Sequence, residues 1–192
     1  MMKRNLFIYI LLPFTLLSCG GQNKAEDQPG SHLGSVAIEE NTAVTTGETM
    51  GLKERIDAAK MRTYRDGENR VEVSYPDFFV VGTAEPGTAR FHYPDQQEHQ
   101  ISLVMFVEPN VEEWSISDAV KQLSDANNVC EEEGKDYYII SGRMAEEPNI
   151  RFCEKCYLMN GKWVDYSVYY LAQDKEAVGR LIELVKDWNP KR

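Results

Sequence analysis

The chain has 192 residues and a mass of 22.0 kDa, with 21 Lys and Arg against 31 Asp and Glu and a formal charge of −10. Hydrophobic residues make up 42%, enough to bury the core of a single domain, so wholesale disorder is excluded. The acidic balance argues against a duplex nucleic-acid binder, which needs a basic face for phosphates, and against a polybasic contact with anionic lipid.

Residues 1–18 read as a secretory leader. Lys3 and Arg4 form a positive start, and Leu6 to Leu17 form an apolar run interrupted by Pro13 and Thr15. That run is shorter than the roughly 20 residues a spanning helix needs. Leu17-Ser18-Cys19-Gly20 follows and resembles the bacterial lipobox. The resemblance implies cleavage before Cys19, acylation of its thiol, and a lipid-anchored protein of the bacterial cell envelope. The outer membrane is the expected membrane, with the domain in the periplasm or on the cell surface. Loss of Lys3 and Arg4 takes the basic count from 21 to 19 against 31 acids, so the mature chain carries −12. Anionic headgroups repel such a chain, and its acyl chains must hold it.

Residues 19–51 then read as the lipidated Cys and a polar tether, rich in Gly, Ser, Thr, Gln and acids, with Val36-Ala37-Ile38 as its apolar cluster. A coil of about 30 residues spans on the order of 30 Å. The domain is expected over 52–192. Leu52, Ile56 and Ala59 predict a short amphipathic helix. Asp66-Gly67 signals a turn, and Arg70 to Tyr75 alternates as a strand ended by Pro76. Phe78 to Val81 is continuously apolar and is expected to seal one end of the core. Arg90 to Tyr93 is a second strand, and Ile101 to Val107 is apolar enough to be buried on both faces. Ser115 or Ser117 caps a helix to about Asn127, and Ser115 with Asp118 has capping-box spacing.

Tyr137 to Met144 is a further strand. Ile150–Met159 and Lys162–Ala172 flank Asn160-Gly161, a strong hairpin signal. A two-residue loop sets the register: Leu158 faces Trp163, Cys156 faces Asp165 and Phe152 faces Tyr169. On the other side Tyr157 meets Val164, Lys155 meets Tyr166 and Cys153 meets Val168. Val164, Tyr166, Val168 and Tyr170 are the expected core face. Asp174 caps a last helix to about Trp188, striped by Val178, Leu181 and Val185 and stopped by Pro190. The fold class is α+β, a mainly antiparallel sheet flanked by helices.

The Val71-Glu72-Val73-Ser74-Tyr75-Pro76 strand precedes the aromatic pair Phe78-Phe79. A buried strand, a Ser-rich helix start, three strands and a helix ending in Trp188 follow. This order resembles the PsbP-like α/β/α sandwich over residues 60–189. The resemblance implies a binding or assembly module without family-wide catalytic residues, so no residue role is carried over.

Cys153-Glu154-Lys155-Cys156 has the spacing of a redox dithiol. It lies inside a strand, however, where residues three apart point to opposite faces. With Cys19 taken by lipid, Cys130, Cys153 and Cys156 remain, and a disulfide from Cys130 to either partner is the structural alternative. Zinc at three thiols plus His92 or His99 lacks a second close-spaced ligand pair, and no metal is expected. Glu131-Glu132-Glu133 reads as a solvated acidic loop rather than a calcium site. No P-loop, G-x-G-x-x-G or H-E-x-x-H occurs. Aromatic residues crowd the C-terminal strands, and Tyr138, Trp163 and Tyr169 are the candidate binding surface.

The resulting expectation is a non-enzymatic, lipid-anchored module that engages another envelope protein or a small ligand, with no cofactor and no nucleic acid. Two alternatives stand beside it. One is an envelope thiol–disulfide protein using Cys153 and Cys156. The other is a hydrolase whose site assembles only in space.

Overall fold

The structure, a computed structural model, describes residues 50–190. The expected leader, the expected lipobox with Cys19 and nearly all of the expected tether lie outside the described residues. The chain runs α1 (Leu52–Ala58), β1 (Met61–Asp66), β2 (Val71–Pro76), β3 (Val80–Glu85), β4 (Thr88–His92), β5 (Ser102–Pro109) and α2 (Ile116–Leu123). It continues β6 (Asn128–Glu133), β7 (Tyr137–Arg143), β8 (Ile150–Met159), β9 (Lys162–Leu171) and α3 (Gly179–Lys186). Seven strands form one sheet in the order β3-β4-β5-β9-β8-β7-β6, with every neighbouring pair antiparallel. β1 and β2 form a separate hairpin. The expected α+β class, a mainly antiparallel sheet with a few helices, is the observed one. Among the described residues no helix is long and apolar enough to cross a membrane.

The β8–β9 hairpin organises the sheet. Asn160 and Gly161 both take positive φ, 52° and 73°, the left-handed pair that a two-residue turn between right-twisted strands requires. The turn sets the register read from the sequence, from Met159 opposite Lys162 to Phe152 opposite Tyr169. β9 also pairs with β5, so both of its edges are hydrogen-bonded and both of its faces are buried.

On one face Leu103, Met105, Cys153, Tyr157, Val164, Tyr166 and Val168 join Leu181, Val185 and Trp188 in the main core. Burying a large apolar side chain fully contributes roughly 1.5–3 kcal/mol. Polar tips fix the covering pieces in place. Trp188 Nε1 donates to the Glu72 carbonyl at 2.8 Å, and the Tyr166 hydroxyl donates to the Ser74 carbonyl. Both bonds pin β2 over the sheet. Arg180 gathers the carbonyls of Ile56, Asp57 and Ala59 at 2.6, 2.7 and 3.0 Å, neutralising the C-terminal end of α1. Lys155, 7% exposed, donates to the Lys186 carbonyl at 2.6 Å and so caps α3 from the sheet. The capping box on α2 forms as expected, with Ser115 and Asp118 bonding each other's backbone.

Four expectations change. Residues 61–66 form a strand, β1, ahead of the Asp66-Gly67 turn. Phe79 is buried at 5%, but Val80 and Val81 open edge strand β3 and are 45% and 47% exposed. Glu131 to Glu133 belong to the opposite edge strand, β6, rather than a loop. The last helix begins at Gly179, after a 3-10 turn over Ala172–Asp174. Asp174 faces His99, whose Nδ1 lies 3.3 Å from its carboxylate, so its side chain does not cap the helix.

Candidate functional site

Alternation along β7, β8 and β9 sends Tyr138, Phe152, Glu154, Cys156, Trp163, Asp165, Ser167 and Tyr169 to the face opposite the main core. α2 packs beside β6 and β7, burying Ile116 and Ala119. Cys156 sits directly opposite Tyr138 on one side and Asp165 on the other. Glu154, two residues back on the same side of β8, lies opposite Ser167. Pairing therefore brings two carboxylates, a thiol and a phenol into one place.

The donor atoms of Glu154, Cys156 and Asp165 all lie within 4.8 Å of one another, and these residues are 3%, 0% and 4% exposed. The Tyr138 hydroxyl donates to Glu154 Oε1 at 3.1 Å. Burial pushes the Cys156 thiol well above its ordinary pKa, and the carboxylates of Asp165 and Glu154 push it further. Burial likewise raises the Tyr138 phenol, helped by Cys156, Glu154 and Asp165. Tyr169 is raised by burial first and by Glu154 next. Arg90, on β4, is lowered by burial, with Tyr169 acting against that shift.

An aromatic frame surrounds this centre. The Tyr138 and Trp163 rings are 6.3 Å apart, and those of Phe152 and Tyr169 are 6.1 Å apart. Trp163 Nε1 donates to Asn110 Oδ1 at 3.1 Å, and Asn110 in turn bonds the Trp114 backbone N–H at 3.0 Å and carbonyl at 2.8 Å. Carboxylates in a water-poor interior need charged or hydrogen-bonding partners, and Arg90 lies on the same face, across Val104 from Ser167.

Tyr138, Trp163 and Tyr169 share this one face, with Tyr138 beside Trp163 and Tyr169 six residues further along β9 beside Phe152. Tyr138 and Trp163 are 0% exposed, however, and belong to an interior wall, while Tyr169 is half-buried.

The thiols do not come together. Cys153 belongs to the main core and Cys156 to the opposite face, as strand alternation requires. Burial raises the Cys153 thiol to about 11. Cys130 lies on β6, with β7 between it and Cys153. Strands two apart are separated by about 9.5 Å, beyond the roughly 7 Å that a disulfide spans. Cys130, Cys153 and Cys156 are all free. Neither the redox pair nor a Cys130 disulfide is therefore assembled.

The thiol–histidine set does not converge either, because His99 turns to Asp174 and His92 lies on β4. Glu131 is bound by Lys186 at 2.6 Å, and Glu132 accepts from the Tyr137 hydroxyl. Cys19 lies outside the described residues. Glu154, Asp165 and Arg90 were not singled out from the sequence. The signal for two of them was present in the hairpin register, which already set Cys156 against Asp165 and Glu154 on the same side.

No family model matches the chain, and no curated protein matches it. Among solved structures it is similar to the solution structure of cyanobacterial PsbP (CyanoP) from Synechocystis sp. PCC 6803, at 15% identity and a TM-score of 0.46. The match covers 67% of this chain and 90% of that one. The likeness concerns the arrangement of strands and helices alone, and no residue role is carried over from it.

Proposed function

We propose that this chain is a lipid-anchored binding module of a bacterial cell envelope, tethered through Cys19, with its recognition centre on the Glu154–Asp165 face of the sheet. One observation carries the binding part. Two carboxylates, a thiol and a phenol converge inside a buried face that Phe152, Trp163 and Tyr169 line, with Ser167 and Arg90 on the same side. A sheet interior gains nothing in stability from such a group over apolar residues of the same volume. Polar groups converging within an apolar wall are the usual anatomy of a ligand site. The leader, the Leu-Ser-Cys-Gly sequence and the polar tether support the anchor and the envelope location. The ligand is a small molecule or ion, or a group presented by another envelope protein. The dithiol alternative has no geometric support, since its two thiols face apart.

The test is chemical crosslinking in intact envelopes followed by affinity capture, comparing the native chain with Glu154→Gln and Asp165→Asn. The reading expects a membrane-fractionated protein and a captured species that both variants lose while keeping native unfolding curves. A soluble-fraction protein, or capture that is indifferent to both substitutions, would overturn it.

A further inference from the structure

We propose that Glu154, Cys156 and Asp165 bind one borderline divalent metal ion of the Zn2+ class, with the Tyr138 hydroxyl bonded to the Glu154 ligand. The proposal rests on the binding reading above and names the ligand class of that same centre.

Geometry comes first. Three atoms mutually within 4.8 Å share a point no more than about 2.8 Å from each of them. Side-chain shifts of about 0.5–0.8 Å bring those distances to the roughly 2.0–2.3 Å of zinc–oxygen and zinc–sulfur bonds. The ligands sit on two neighbouring strands paired in register, so the backbone holds them without a loop. Tyr138, on the third strand and 0% exposed, already bonds Glu154 and is placed to hold that carboxylate in its ligating orientation.

The donor set selects the ion. A thiolate is soft, which disfavours Mg2+ and Ca2+, whereas two carboxylates disfavour a purely thiophilic ion. A borderline ion satisfies both. Binding is a proton-for-metal exchange without redox change. The S–H bond of Cys156 breaks, the sulfur–metal bond forms, and one proton leaves to solvent. The ion, the thiolate and two carboxylates then sum to one negative charge. Arg90 on β4 lies on the same face, across Val104 from Ser167, and brings a positive charge to that side of the sheet. The centre is closed to solvent, so the ion enters as the chain folds.

The test uses the detergent-extracted mature protein. Its metal content is measured as isolated, and it is then unfolded and refolded with Co2+ while thiolate-to-cobalt charge-transfer absorption is recorded. The expected result is about one ion per chain and a charge-transfer band. Cys156→Ser should abolish the band, and Glu154→Gln and Asp165→Asn should each weaken binding about tenfold or more. Cys153→Ser and Cys130→Ser should keep it. If Cys156→Ser does not fold, a Cys130→Ser/Cys153→Ser double variant must still give the band. A metal-free protein that also gives no cobalt band overturns the proposal, as does a band that survives Cys156→Ser. A metal-free chain whose envelope capture still depends on Glu154 and Asp165 overturns this inference while leaving the binding reading in place.

Discussion

Asp66 ties two turns together, and its removal should cost more than any exposed substitution. Its carboxylate is 3% exposed and accepts from Glu68 N at 3.0 Å, Asn69 N at 3.1 Å, Asn69 Nδ2 at 2.8 Å and Gly87 N at 2.7 Å. Three of these bonds close the β1–β2 turn, and the fourth reaches the β3–β4 turn. A hydrogen bond to a charged group is worth about 1.5–3 kcal/mol, and part of that returns as water reaches the exposed turn. Asp66→Ala should therefore lose about 3 kcal/mol, or on the order of 10 °C in Tm for a domain of this size.

The effect has a pH signature. Burial pushes the Asp66 carboxyl up, but the bonds from Asn69, Gly87 and Glu68 outweigh it, and the group titrates below its ordinary value. A depressed carboxyl contributes stability above the unfolded pKa of about 4 and loses it as pH falls through the lower folded value. Urea unfolding followed by Trp fluorescence should show a constant gap between native and variant from neutrality to about pH 5, narrowing below about pH 4. A loss under about 1 kcal/mol, or a gap that does not narrow in acid, would refute the reasoning.

Thiol labelling should separate the three cysteines. Cys130 is partly exposed and should react in the native state, whereas Cys153 and Cys156 should react only on unfolding; rapid labelling of either would contradict their burial. Gly142→Ala should weaken the β6–β7 ladder, because a Cβ there would lie 2.7 Å from the Asn127 carbonyl and 2.1 Å from Asn128 Oδ1. A lower Tm with faster amide exchange in β6 is expected, and unchanged exchange would count against that packing. Arg180→Ala should leave three carbonyls at the end of α1 to water, costing about 2 kcal/mol by denaturant unfolding. A value near zero would show that α1 is held by its apolar contacts alone.

The sequence was most legible where local chemistry dictates geometry. Asn160-Gly161 can sit in a tight hairpin only in the left-handed region, so the whole β8–β9 register followed from two residues. Ser115 and Asp118 announced α2 in the same way. β1 and β6 were illegible because charged side chains break up their alternation: Met61–Asp66 carries two Arg, and Asn128–Glu133 ends in three Glu. The 3-10 turn before α3 was hidden because Asp174 finds its partner, His99, far away in sequence.

The candidate site was half legible. Spacing along the chain correctly argued that Cys153 and Cys156 face apart, yet it drew attention to the thiols as a pair. The relevant neighbours of Cys156 are across the strands, at Asp165 and Tyr138, and become visible only when pairing is followed on both sides. Tyr138, Trp163 and Tyr169 were read as an exposed surface, whereas Tyr138 and Trp163 are buried. Both faces of the central strands turn out to be buried, which alternation alone does not reveal.

The anchor is the part of the account that one measurement tests most directly. The protein is extracted from native membranes, and its N-terminal peptide is analysed by mass spectrometry. The account predicts a chain that begins at Cys19 and carries acyl groups on that residue. A chain that retains Met1, or an unmodified Cys19 on a protein found in the soluble fraction, would contradict it.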